Sequence, residues 1–191
     1  MEKIPWQIYL GKIPQSSDGN YWVSFESDPS LKTTKNNIYG RCLPCIQNLY
    51  EQLQAGKSEI ALGNAYQCWK ITAVVPGLDE CLALLSEFEK RFPIGHVYGK
   101  FGSGQKDMPT KVVVFHGQSE EEKERLRAAL DQCLPCIEGS GPLQISRGCA
   151  VLHHELFGTG EDWQPVTPVR DGETAQKILE RLKIILYRSA L

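Results

Sequence analysis

Two tetrapeptides in this chain are identical: Cys42-Leu-Pro-Cys45 and Cys133-Leu-Pro-Cys136, each followed by isoleucine. Two residues between cysteines let both sulfurs face one ion, so two such pairs can supply a tetrahedral zinc with thiolates. The 87 residues between Cys45 and Cys133 exceed the interval of a zinc ribbon. Zinc is therefore expected only if the fold brings the pairs together, and otherwise no cofactor is expected. The same spacing suits thiol redox chemistry. The first pair precedes a helix, whose N-terminus favours thiolate, whereas the second lies at a helix end, where the dipole disfavours it. On that reading Cys42 and Cys45 are the reactive pair. The third alternative is structural: Cys133 continues an apolar helix stripe, as a buried thiol would. Cys149 with His153 or His154 is a further ligand group, since Cys149 and His153 share one face if the segment is a strand.

A second feature is Tyr98-Gly-Lys-Phe-Gly-Ser-Gly-Gln-Lys106. Glycines let backbone amides approach an anion, and Lys100, Lys106 and Lys111 add positive charge. Lys100, Gly102, Gly104 and Lys106 are thus candidate phosphate or carboxylate contacts, with Arg147 a further cationic candidate. The loop matches neither a P-loop nor a dinucleotide fingerprint. A hairpin with solvated lysines is the alternative. A third cluster runs from Arg147-Gly-Cys149 through His154-Glu155 to Trp163 and Arg170. Loops on a rigid scaffold often build sites; equally, Trp163 can simply pin its loop to the core.

The elements that must position these residues are legible in the hydrophobic pattern. Trp6–Leu10 and Tyr21–Phe25 alternate around Ser16-Ser-Asp-Gly-Asn20 and read as a hairpin. Ile46, Leu49, Tyr50 and Leu53 recur at helical spacing. Trp69–Val75 reads as a central strand, and Leu78, Cys81, Leu82, Leu85, Phe88 and Phe92 as one helix face. His96–Phe101 and Lys111–Phe115 are strands. Ser119-Glu-Glu-Glu122 is a capping box, ahead of a stripe of Leu126, Ala129, Leu130 and Cys133. Leu143–Ile145, continuing towards Ala150-Val-Leu152, supplies the last strand. Gly158–Pro168 is a loop, and Ala175, Ile178, Leu179, Leu182, Ile185 and Leu186 mark a terminal amphipathic helix. The expected class is α+β: a ferredoxin-like β-α-β-β-α-β unit over residues 66–157. A hairpin-and-helix extension over 1–65 precedes it and a loop and helix over 158–191 follow, all in one compact domain.

Over residues 71–115 the chain resembles the nitrogen-regulatory P-II proteins, through Pro76-Gly-Leu-Asp-Glu80, Gly99–Lys106 and Thr110–Phe115. Val75-Pro-Gly-Leu78 is also similar to the opening of ACT domains, which bind amino acids as regulators. The resemblance implies a ferredoxin-like fold and ligand sensing. The P-II family's long nucleotide-sensing loop has no counterpart here.

A net charge of −2 over 191 residues supplies no global basic field, which argues against nucleic acid as partner. No apolar run reaches the ~20 residues that span a bilayer, and the N-terminus has no signal-peptide core. A cytoplasmic protein is expected, with seven cysteines reduced rather than forming a disulfide framework. No serine-hydrolase elbow or zinc-protease helix is present. The expectation is a non-enzymatic binding or regulatory module with a small-molecule or protein partner, and homo-oligomerisation would cover an exposed sheet face.

Overall fold

A computed structural model of the chain describes residues 7–12, 21–28, 42–92, 96–103, 108–148 and 150–189. These residues fall into two compact units, each discontinuous in sequence: Met1–Ile38 with Trp69–Ile145, and Tyr39–Cys68 with Ser146–Leu191. The hairpin joins the first unit, while the helix that follows it joins the second.

The first unit is built on β4 (Trp69–Val75), α3 (Leu78–Arg91), β5 (Tyr98–Ser103), β6 (Lys111–Gly117), α4 (Glu120–Cys133) and β7 (Gln144–Arg147), within which the chain leaves the unit. With β1 (Tyr9–Lys12) and β2 (Tyr21–Glu26) these strands make an antiparallel sheet in the order β1-β2-β5-β6-β4-β7. The last four positions carry the ferredoxin-like strand order, and the hairpin extends it at the β5 edge. The fold is α+β, as the pattern of strands and helices predicts.

Alternation sorts the sheet residues into two faces. Ile71, Ala73, Val75, Phe101, Val113, Phe115 and Phe25 bury against α3 and α4 in one cluster. The helix contribution departs from the sequence reading. Cys81, Leu84, Leu85 and Phe88 are the buried residues of α3, while Leu78 and Leu82 are 51 % and 44 % exposed. Leu78 sits in the first turn, and the buried stripe is rotated towards Leu84, about 100° per residue along the helix.

Ser119 caps α4 as its spacing predicts, its hydroxyl accepting from the Glu122 N–H at 3.1 Å. The Glu122 carboxylate reaches back to the Gln118 N–H at 2.6 Å, one residue before the cap. Ser119→Ala is expected to cost about 1 kcal/mol, with Ser119→Asp retaining most of the stability. Urea midpoints of the two variants test this; equal midpoints for Ala and wild type would discount the cap.

The second unit holds α1 (Cys42–Gln54), β3 (Glu59–Ala61), α2 (Asn64–Gln67), α5 (Ala150–Phe157), β8 (Val166–Pro168) and α6 (Gly172–Ser189). β3 and β8 pair antiparallel. Leu49, Leu53, Ile60, Leu156, Trp163, Ile178 and Leu182 are among its buried core. Two expectations are corrected. Ala150–Leu152 is helical rather than the end of a strand, because β7 stops at Arg147 and a new helix begins at Ala150. The supposed loop Gly158–Pro168 ends in a strand whose partner, β3, is only three residues long and carries no alternation long enough to read. Among the described residues, no helix is long and apolar enough to cross a membrane.

Candidate functional site

The face of the first unit's sheet opposite α3 and α4 carries an unusual set of side chains for a sheet surface. Its register places Glu26 beside Tyr98 and His116 beside Lys70. The next row runs Ser24, Lys100, Val114, Thr72, and the next Trp22, Gly102, Val112, Val74. The Tyr98 and His116 rings stack at 5.8 Å with an interplanar angle of 6°, and the Tyr98 hydroxyl accepts from Gln118 Nε2 at 2.6 Å. Lys100 Nζ lies 4.0 Å above the centre of the Trp22 ring.

Gly102 explains that last contact. It stands straight across from Trp22 and offers the indole no side chain, so the lysine one diagonal away can cover the ring. Its φ of 139° lies where a side chain would be strained. Gly102 lies within β5 rather than in a loop. Gly104 and Lys106 lie outside the described residues.

A cation over an indole face gains about 0.5–1 kcal/mol at an exposed site and more when desolvated. Glu26, Ser24 and Tyr98 are buried, whereas Trp22, Lys70, Lys100 and His116 keep partial exposure. The polar and aromatic groups that a ligand would meet thus surround a buried centre. Such a surface can neutralise an anion through its lysines and stack a planar group.

The cysteine pairs sit in different units. Cys42 and Cys45 open α1 in the second, and Cys133 and Cys136 close α4 in the first. The Cys42 side chain lies outside the described residues, and Cys45 is buried. Among the described residues, no group of three or more His, Cys, Asp or Glu side chains is assembled as a metal site. Cys133 is fully buried, and burial pushes its thiol up to about 11. Cys136, on the 3-10 turn Leu134–Cys136, is exposed. The Arg91 guanidinium donates from Nη2 to its sulfur at 3.1 Å and from Nε to Glu87 Oε2 at 3.1 Å. Cys136 is the largest influence holding the Arg91 guanidinium above its ordinary range. The negative end of α4 repels an anion at this surface, whereas the guanidinium attracts one.

Arg147 belongs to the second unit, with partners of its own. Its guanidinium lies 4.2 Å over the Tyr66 ring and donates to the Tyr66 carbonyl. It is not a companion of Lys100 within one unit's site. Its stem passes Gly160, where a Cβ would lie 2.8 Å from Arg147 Cγ and 3.8 Å from His154 Nε2. His153, read as a ligand on a strand, is buried on α5 between rings, 5.8 Å from Phe157 and 5.7 Å from Trp163. The helix removes the strand face that it was to share with Cys149, which lies outside the described residues. Trp163 is 2 % exposed, and its Nε1 donates to the Gly158 carbonyl at 3.1 Å.

A cleft of about 320 Å³ opens elsewhere in the second unit, lined by Leu53, Lys57, Ser58, Val169, Gln176 and Leu179 among others. Among the described residues, Lys57 is its one charged lining group. Sequence reasoning singled out Lys100 but did not join Trp22 and His116 to its face, nor Arg91 to Cys136. Alternation puts Trp22 and His116 on a face, yet only the strand register joins them to Lys100. No signal in the sequence links Arg91 to Cys136 across 45 residues. No family model, curated protein or solved structure matches this chain.

Proposed function

We propose that the protein is a non-catalytic, cytoplasmic binding module of a regulatory kind, and that it takes a small anionic ligand on the sheet face of its first unit opposite α3 and α4. The observation that carries this reading is the Lys100–Trp22 contact, set beside the Tyr98–His116 stack on one sheet surface. Lys70 and Lys100 supply charge for a carboxylate or phosphate, and Trp22 supplies a ring for a planar group. The likeness to P-II and ACT domains over residues 71–115 supports ligand sensing in the same unit.

The test is a thermal-shift screen of nucleotides, amino acids and simple carboxylates and phosphates, followed by titration monitored through tryptophan fluorescence. A binder is expected to raise the melting temperature of the wild-type chain. Lys100→Gln should weaken it about tenfold or more, the loss of one charged contact. Lys57→Gln, in the second unit's cleft, should leave it unchanged. No response to any anion, or affinity lost at Lys57 and kept at Lys100, would overturn the reading; in the first case a protein partner is the alternative.

A further inference from the structure

The corner where α4 ends carries a chemistry that the ligand-binding face does not use. Cys136 is exposed on a single 3-10 turn, and Cys133, three residues earlier, is buried in the core cluster. A helical turn sets residues three apart on one side, close enough for a disulfide after modest movement. Arg91 reaches this turn from α3, bridging the Glu87 carboxylate and the Cys136 sulfur. A thiol that is exposed, touched by a guanidinium and preceded by a second thiol within reach has the parts of a peroxide-reactive pair.

We propose that Cys136 and Cys133 form a redox-sensitive thiol pair that reacts with hydroperoxides, Cys136 as the attacking sulfur and Cys133 as the resolving one. The Cys136 thiolate attacks the peroxide; an S–O bond forms, the O–O bond breaks, and the departing alkoxide or hydroxide takes up a proton. The product is a sulfenic acid. Cys133 then loses its proton and attacks the Cys136 sulfur, the S–O bond breaks, and hydroxide leaves and is protonated to water. Two thiols are oxidised to one disulfide, and one hydroperoxide is reduced to an alcohol (or water) and water.

Arg91 is a positioning residue in this scheme, holding charge beside the attacking sulfur. Cys133 must leave the core before it can react, so the second step waits on local opening at the end of α4. The sulfenic acid therefore accumulates before the disulfide. The assignment reverses the order that helix-end electrostatics alone gives, because the pair at the end of α4 has an exposed member with a cationic partner.

The experiment treats the reduced full-length chain with a slight excess of hydrogen peroxide, with and without dimedone. Samples are quenched over time, blocked by alkylation, digested with trypsin and mapped by mass spectrometry. Cleavage after Arg127 and Arg147 releases residues 128–147, a peptide whose only cysteines are Cys133 and Cys136. Early dimedone labelling of Cys136 is expected, followed by an internal disulfide that makes this peptide lighter by two hydrogens. Arg91→Gln, at an exposed position, should slow the first step by about two- to fivefold. In denaturant it should react at the wild-type rate. A peptide that stays reduced while other cysteines oxidise would overturn the proposal. So would a disulfide linking Cys136 between chains instead of to Cys133. Equal native rates for Arg91→Gln and wild type would overturn the part given to Arg91.

Discussion

Gly99→Ala is expected to destabilise the first unit by about 3 kcal/mol or more, the upper range for forcing added volume into a packed core. Gly99 pairs with Phe25 on one side and Phe115 on the other. Those two rings meet edge to face at 4.9 Å, closing over the strand between them. A Cβ at Gly99 would stand 2.0 Å from the Val114 carbonyl oxygen and 2.5 Å from Phe25 Cζ. Neither neighbour can yield cheaply, because Val114 is held in the β5–β6 ladder and Phe25 and Phe115 are fully buried. The methyl must push the central strands apart or expel the Phe25 ring. Urea unfolding followed by far-ultraviolet circular dichroism measures the loss. Gly172→Ala, at a position with nothing within 4 Å, is the control. A Gly99→Ala midpoint equal to that of the control would mean that the two rings do not close over this strand.

The same glycine shows how far the sequence could be read. Tyr98–Lys106 is rich in glycines, and in a sequence such glycines suggest an anion-binding loop as readily as a packing device. Gly99 has a packing role that depends on which residues of β2 and β6 flank it. That pairing is long-range: Phe25 lies 74 positions earlier in the chain, a separation that no local pattern encodes. By contrast, the order of strands and helices was legible because each element carries its own period. Trp69–Val75 alternates, Val112–Phe115 is a strand-length apolar run, and Glu120–Cys133 has a cap and an apolar stripe. Where the local signal was short or ambiguous, the reading failed. Ala150-Val-Leu152 is apolar enough for a strand or a helix, and helical packing in the second unit decided it.

The candidate sites divide in the same way. Lys100 and Gly102 could be singled out by type, but Gly102 matters for the side chain that it lacks opposite Trp22. The identical cysteine motifs looked like a matched set. Their environments differ because one opens a helix and the other ends one, and the exposed sulfur of the second meets an arginine from a different helix. Residue type and spacing therefore suggested the chemistry, while register and helix packing chose among the residues that could perform it.

Trp163→Ala is the second large effect expected, about 3–5 kcal/mol from the stability of the second unit. The indole meets the Phe157 ring edge-on at 6.1 Å and His154 at 5.2 Å, with His153 at 5.7 Å. Its contacts hold the segment after α5 against a core that also includes Ile60, Leu156, Ile178 and Leu182. Trp163→Phe separates two contributions: it keeps most of the ring contact and loses the Nε1 hydrogen bond to Gly158, worth about 0.5–1.5 kcal/mol. The expected order of urea midpoints is wild type, then Phe, then Ala well below. Hydrogen exchange should show the Ala variant losing protection at Ile60, Thr167 and Leu156, which the core and the β3–β8 pair hold in place. A loss below about 1 kcal/mol on Trp163→Ala, far short of the usual cost of emptying a buried aromatic site, would contradict a structural role. The cluster of Arg147, His154 and Trp163 would then have to be reconsidered as a surface kept for a ligand. A loss in the expected range means that this tryptophan pins its segment to the core, leaving the Lys100 face as the stronger place to look for binding.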